Sequence, residues 1–233
     1  METRSLLRPS TSVIVQVMAC PARHFANPPL RYVKWLMLAN IEQHYAKPKK
    51  MIAWKRYVSR DRRYKVFFAT QNLVIDKLME DDAICLHRIC NQSFVLKWMK
   101  DWKHNLDEIR ELLAFFTQGY SFINPAQHAL ALAIRLKDTK DLIGICGFGT
   151  KEELGGEVEI CYFIDEAFSN KGYMSQVIEK AIKYYFDLTD KTYLCAMVDR
   201  KNEPSYRLLK RNGFVFYPMS EKSGVESHYR VYR

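Results

Sequence analysis

Residues 159–178, "EICYFIDEAFSNKGYMSQVI", carry the most information about the fold. Alternating apolar residues predict a strand over 155–164, and helical spacing predicts a helix over 174–187. Such a junction leaves N–H donors unpaired at the helix start, where the helix dipole favours an anion. Gly172 would admit a phosphate without a Cβ in the way, and Lys171 adds positive charge. Turns of this kind also simply begin helices, so the motif alone leaves both interpretations open.

The pattern around this junction predicts an α+β domain. Strands that first follow one another and later alternate with helices indicate a mixed, mostly antiparallel sheet of about six or seven strands flanked by helices. Residues 138–141 are predicted to form the turn of a hairpin. The predicted strands are 72–78, 128–137, 142–149, 155–164, 191–198, 213–217 and the closing "ESHYRVYR"; the helices are 81–90, 93–102, 106–119, 174–187 and 202–212.

The positive charge is concentrated in the first third of the chain. Residues 1–71 hold 14 Lys and Arg against 3 Asp and Glu, a balance of +11, whereas the whole chain of 233 residues carries +10. We therefore expect a basic extension over 1–66, partly helical at 30–46, and a folded domain over 67–233. The basic and aromatic segment 47–65 suggests contact with nucleic acid or the ribosome. The alternative is an ordinary solvated or packing surface.

Cysteine and histidine spacing predicts neither a metal site nor a disulfide framework. There is no CxxC pair and no HExxH motif, and scattered single cysteines fit a reduced, cytoplasmic interior. No apolar run reaches the roughly 18 residues that a membrane-spanning helix needs. The short apolar run 13–19 leaves an export or transit peptide open as a weak alternative. The cysteines are Cys20, Cys85, Cys90, Cys146, Cys161 and Cys195.

Five stretches in order, across about residues 70–217, resemble the GCN5-related N-acetyltransferase (GNAT) superfamily, in particular its ribosomal-protein N-terminal acetyltransferase-like branch. They are "TQNLVIDKLMEDDA" (70–83), "LIGICG" (142–147), "EICYFI" (159–164), "SNKGYMSQV" (169–177) and "NEPSYRLLKRNGF" (202–214). The first stretch lacks the branch's two arginines, at Asn72 and Asp76. Each motif alone is unspecific, and the ordered set carries the resemblance.

The resemblance implies acetyl-CoA as co-substrate. Ser169 and Met174 depart from the family pattern, so the Met174 side chain is expected to point away from the phosphates and into the core. Asn170 tolerates a positive φ and can stand in for a family glycine. The implied cofactor-binding residues are Lys171, Gly172, Tyr173, Met174 and Ser175 for the pyrophosphate, Cys161, Tyr162 and Phe163 for the pantetheine arm, and Asn202 and Ser205 on the following helix.

The same resemblance implies direct transfer of an acetyl group to a primary amine. Glu159 matches the strand glutamate and is the candidate general base; the alternative is a solvent-facing strand acid. Cys161 replaces a glycine and is expected to be a small core residue, not a nucleophile. Asn202 serves as a cofactor contact, a helix N-cap, or both. Leu209 stands where many members have a general-acid tyrosine.

The acceptor is the least defined part of this interpretation. The resemblance implies a protein N-terminus or a small-molecule amine, and the acids Asp101, Asp107, Glu108 and Glu111 are candidates to attract it. A homodimer is left open as a further assembly. The alternative function is a non-catalytic relative that binds CoA or a protein partner through a degenerate pyrophosphate turn.

Overall fold

The computed structural model describes residues 66–120, 129–151, 154–218 and 226–233. The expectations for the basic extension, including the helix at 30–46, the segment 47–65 and the apolar run 13–19, lie outside the described residues. Among the helices of the described part, none is long and apolar enough to cross a bilayer.

One mixed sheet of eight strands organises the domain, as the predicted α+β class requires. Its order is β1-β2-β3-β4-β5-β6-β8-β7, and every neighbouring pair is antiparallel except β5 and β6. The strand missing from the prediction is the four-residue β1, which directly follows the basic segment. The strands are β1 Val66–Ala69, β2 Leu73–Lys77, β3 Leu130–Leu136, β4 Leu142–Lys151, β5 Glu157–Ile164, β6 Tyr193–Asp199, β7 Val215–Phe216 and β8 Glu226–Tyr232.

Helices flank the sheet where helical spacing predicts them, except that the helix predicted over 93–102 is confined to Ser93–Leu96 and followed by a 3-10 turn. Asn105 begins the longest early helix as an N-cap, because its side-chain oxygen accepts the N–H groups of Asp107 and Glu108 at 2.9 Å each. The helices are α1 Ala83–Cys90, α2 Ser93–Leu96, α3 Leu106–Gly119, α4 Tyr173–Leu188 and α5 Glu203–Arg211, with single 3-10 turns at Glu80–Asp82, Lys100–Trp102 and Glu166–Phe168.

The centre of the sheet is packed too closely for a side chain at two positions of β4. A Cβ at Gly144, which pairs with Ile164 on β5, would lie 2.3 Å from the carbonyl oxygen of Phe163. A Cβ at Gly147 would lie 2.8 Å from the carbonyl oxygen of Leu130. Both glycines of the "LIGICG" motif therefore serve strand packing. The close approach at Gly144 fixes β4 against β5, the strand that carries the candidate general base.

A buried ionic cluster joins β2, β3 and the turn before α1. Arg135 donates from Nε to Asp76 at 2.8 Å and from both terminal nitrogens to Asp82 at 2.8 and 2.6 Å. Burial raises the pKa of Asp76 to about 6, while Arg135 opposes that shift. In the sequence, Asp76 stands out only because the family branch has an arginine at this position. In the structure, Arg135 on the neighbouring strand forms an ion pair with the Asp76 carboxylate.

Replacing Arg135 with lysine should lower the free energy of unfolding by about 2 kcal/mol, because lysine keeps the charge but loses most of the forked hydrogen bonds. Urea unfolding should show a lower midpoint at an unchanged m-value. Arg110→Lys is the matched control, since Arg110 pairs with Asp107 in the open at 2.8 Å and such pairs contribute little. Equal effects of the two substitutions would contradict a structural role for the buried cluster.

Candidate active site

A cleft opens where β5 and β6 separate. These parallel strands share a single registered pair, Glu159 with Cys195, and beyond it a cavity of about 670 Å³ lies between them. Residues of β5 and β6 form two of its walls. The turn before α4, the start of α5 and residues of 94–102 complete the lining.

The quoted turn has the backbone that an anion cradle requires. Asn170 and Gly172 adopt positive φ angles of 57° and 74°, which confirms the expectation for Asn170. The first hydrogen bond into α4 runs from the Gln176 N–H to the Gly172 carbonyl at 3.3 Å, so the N–H groups of residues 172–175 precede the helical ladder. A Cβ at Gly172 would meet no atom of the described residues within 4 Å. Backbone conformation, not crowding, therefore favours glycine there.

The side chains of the turn divide between the core and the surface. Met174 packs against the hydrophobic core, in agreement with the expectation that it points away from the phosphates. The Ser169 hydroxyl donates to the Glu166 carbonyl at 2.8 Å and closes the preceding 3-10 turn. Lys171 places its ammonium 5.0 Å from the centre of the Phe168 ring, and its side chain is outside the cavity lining. The other implied cofactor-binding residues all line the cavity.

The β5 wall presents one thiol and one buried hydroxyl. Burial, with a smaller contribution from the Glu159 charge, raises the pKa of Cys161 to about 12, so the thiol is protonated at neutral pH. That state supports the interpretation of Cys161 as a small, non-nucleophilic residue. Burial also raises the pKa of Tyr162, and the nearby Ser205 side chain partly opposes the shift. The Tyr162 hydroxyl has no partner at hydrogen-bonding geometry within the described part of the chain.

Glu159 lies at the point where the two strands part. It is 6% exposed, so the alternative of a solvent-facing strand acid is wrong. One carboxylate oxygen accepts the Met197 N–H of β6 at 3.2 Å, and the other lies 3.4 Å from the Lys151 ammonium. The carboxylate is thus held across the strand junction, with its charge compensated, at the wall of the cavity. The pairing with Lys151 is absent from the sequence argument, because it depends on β4–β5 register.

The start of α5 combines both roles that the sequence left open for Asn202. Its side-chain oxygen accepts the Ser205 N–H at 3.3 Å, as an N-cap does, and the residue also lines the cavity. Arg207 and Arg211 also line the cavity and were missed by the sequence analysis. Their four-residue spacing on one helix, next to the "NEPS" motif, is the signal that would have indicated a cationic face.

One part of the lining is aromatic and carries one acid. Trp102 packs edge-on against Phe163 with ring centres 4.8 Å apart, and Trp98 and Asp101 lie beside it in the lining. Asp101 is the one member of the predicted acidic group that lines the cavity. Asp107 pairs with Arg110, Glu108 accepts the Asn105 N–H at 2.8 Å, and Glu111 is exposed on the same helix.

Comparison with known proteins agrees with this geometry. The family described as "Acetyltransferase (GNAT) domain" matches residues 72–215. A Bacillus subtilis (strain 168) protein described as uncharacterized N-acetyltransferase YoaA is 26% identical over 160 residues, which cover 69% of this chain and 85% of that protein. A Bacillus licheniformis protein described as uncharacterized N-acetyltransferase p20 is 27% identical over 146 residues, or 62% of this chain and 80% of that protein.

Solved structures share the fold at lower identity. The ribosomal L7/L12 alpha-N-protein acetyltransferase RimL, in complex with coenzyme A, superposes with a TM-score of 0.61 at 17% identity, covering 72% of this chain and 98% of RimL. The microcin C7 self-immunity acetyltransferase MccE, in complex with acetyl-CoA and AMP, gives 0.57 at 18% identity, covering 70% of this chain and 94% of MccE. These likenesses establish the fold, and the family match establishes the kinship.

Proposed function

Because the chain belongs to the acetyltransferase (GNAT) domain family, we propose that it is an acetyl-CoA-dependent N-acetyltransferase that acts on a primary amine. The observation that carries the proposal is the position of the glycine turn. The turn lines the cleft between β5 and β6, and Glu159 lies where the two strands part.

Acetyl-CoA is the co-substrate that this cleft fits, and RimL and MccE are described in complex with coenzyme A and acetyl-CoA. It supplies an acetyl group activated as a thioester. The N–H groups of residues 171–175 and the start of α4 suit its pyrophosphate. The buried, unpartnered hydroxyl of Tyr162 offers a hydrogen bond on the β5 wall, where Cys161 and Phe163 would flank the pantetheine arm. Asn202 and Ser205 complete the proposed set on α5.

The chemistry proposed for this cleft is direct transfer. The acceptor amine attacks the acetyl carbonyl, a carbon–nitrogen bond forms, and the carbon–sulfur bond breaks. Glu159 accepts the proton of the amine, directly or through water. Leu209 offers no proton to the departing thiolate, so the proton for the sulfur comes from water.

The acceptor is proposed to bind at the aromatic part of the lining, beside Trp98 and Trp102. A protonated amine would be attracted there by Asp101 and by the faces of the indole rings. RimL is described as acting on the N-terminus of ribosomal L7/L12, and by analogy a protein N-terminus is one acceptor class; a small-molecule amine is the other. Contact of the basic extension with nucleic acid or ribosome, a homodimer, a cytoplasmic location and the boundary at 66/67 all stay predictions.

A non-catalytic, CoA-binding or protein-interaction role is the second candidate, favoured by Ser169 and Met174 in the turn. Incubation of the full chain with acetyl-CoA and a panel of amines and N-terminal peptides separates the two. We expect free thiol to be released only with particular amines, above a control without acceptor, and calorimetry to show acetyl-CoA binding. Binding without release across the panel would favour the second role, and no binding would refute both CoA-dependent readings.

A further inference from the structure

A second cluster of chemically reactive side chains lies next to the strand junction, outside the cavity lining. Glu157 belongs to β5, Cys195 to β6 and His228 to β8. One potential ligand atom from each side chain lies within 4.8 Å of the others. Glu157 is two residues from Glu159 along β5, but unlike Glu159 it does not line the cavity.

The Glu157 carboxylate is oriented by its neighbours. One oxygen accepts hydrogen bonds from the Tyr193 hydroxyl at 3.0 Å and from Arg230. The other oxygen faces the Cys195 sulfur at 2.7 Å and His228 Nε2 at 3.8 Å. The outer oxygen is therefore fixed by supporting groups, and the inner oxygen points at the thiol and the imidazole. Supporting bonds of this kind hold the ligands of metal sites in place.

His228 supplies the independent observation. Its side chain is 2% exposed, and neither ring nitrogen has a hydrogen-bond partner at acceptable geometry within the described residues. Buried nitrogens without a partner are rare in folded proteins, and an ion is one of the few features that account for one.

We propose that Glu157, Cys195 and His228 bind one divalent transition-metal ion, with Zn²⁺ as the ion that their ligand types fit best. Sulfur, imidazole nitrogen and carboxylate oxygen are the three protein ligands of zinc, and they bind at about 2.0–2.3 Å. A tetrahedral ion at those distances separates its ligand atoms by roughly 3.5 Å, so small side-chain movements suffice. The partly exposed Glu157 leaves room for a water molecule as fourth ligand.

The charges around the site are compatible with this assignment. A Cys195 thiolate and the Glu157 carboxylate balance a divalent ion, and the proton of the thiol passes to solvent when the metal binds. Arg230 pairs with Glu157 and also interacts with the Cys195 side chain, and its guanidinium lies 3.4 Å from the centre of the Tyr217 ring and 4.3 Å from that of Tyr193. Its positive charge further stabilises a Cys195 thiolate. The ion would join three strands at the junction where β5 and β6 share one pair.

Cobalt substitution tests the proposal without reference to activity. The full chain, freed of metal with a chelator and kept in a phosphine reductant, is titrated with Co²⁺ while the near-ultraviolet thiolate-to-cobalt charge-transfer absorption is recorded. We expect that absorption to saturate at one ion per chain and to disappear when Zn²⁺ displaces Co²⁺. Wild-type protein without the absorption would overturn the proposal, whatever the variants do.

Three variants assign the absorption to the cluster. Cys195→Ser should abolish it, and His228→Gln should weaken Co²⁺ binding at least about tenfold. Cys90→Ser removes a buried thiol from α1, outside the cluster, and should leave the titration unchanged. Circular dichroism checks that each variant is folded. If Cys195→Ser does not fold, the Co²⁺ affinity of His228→Gln tests the site instead. An absorption that survives in folded Cys195→Ser would place the metal on another cysteine and refute the site.

Discussion

Gly172→Asp should weaken acetyl-CoA binding about 1000-fold. The carboxylate would lie next to the pyrophosphate, and two like charges about 4 Å apart repel by about 4 kcal/mol at an effective dielectric constant of 20. The structure removes the competing explanation of a steric clash, since a Cβ at this position meets nothing within 4 Å. Calorimetry with acetyl-CoA measures the loss, and thermal unfolding checks that the domain is intact.

Gly172→Asn is the matched control for that substitution. Asparagine has nearly the shape of aspartate, carries no charge and tolerates the φ of 74° at this position, so binding should stay within about tenfold of wild type. If the two variants bind equally weakly, strain in the turn and not charge is responsible. If both bind like wild type, the pyrophosphate lies elsewhere.

Glu159→Gln should lower the turnover number about 100-fold or more, which is the contribution expected of a general base. Glutamine keeps the oxygen that accepts the Met197 N–H, so the strand junction and the affinity for acetyl-CoA should change little. The measurement is steady-state kinetics with the acceptor found in the amine panel, together with calorimetry.

The buried partner of Glu159 requires its own control. Glu159→Gln leaves the Lys151 ammonium without the carboxylate 3.4 Å away, and removing one member of a buried ion pair can destabilise a fold by about 3–5 kcal/mol. Lys151→Met and the double variant separate the two effects. If Lys151→Met slows turnover as much as Glu159→Gln does, the loss of rate comes from breaking the ion pair, and Glu159 is not required as a proton acceptor. An unchanged rate in Glu159→Gln removes the residue from the mechanism.

Features that depend on neighbouring residues along the chain could be predicted from the sequence. The alternation before Ile164 and the helical spacing after Tyr173 correctly predicted the strand and the helix, and the tolerance of asparagine for positive φ correctly predicted Asn170. The N-cap role of Asn202 followed from the proline two positions later. These are local preferences of the backbone, so a short stretch of sequence is enough to specify them.

Features that depend on register between distant strands could not be predicted. Arg135 meets Asp76 across 59 residues, and the Cys195 thiol meets Glu157 across 38. Searches for metal ligands by local spacing therefore passed over Glu157, Cys195 and His228. Lys151 is near Glu159 in the chain, but only the antiparallel pairing of β4 with β5 brings their side chains together.

The single pair between β5 and β6 makes the cleft a seam between two parts of one sheet. Strands β1 to β5 lie on one side of it, and β6, β8 and β7 lie on the other. Any molecule held along the seam adds cohesion between the two parts, so occupancy of the cleft and folding of the whole sheet are thermodynamically linked. A substrate bound in the cleft would therefore also stabilise the folded sheet.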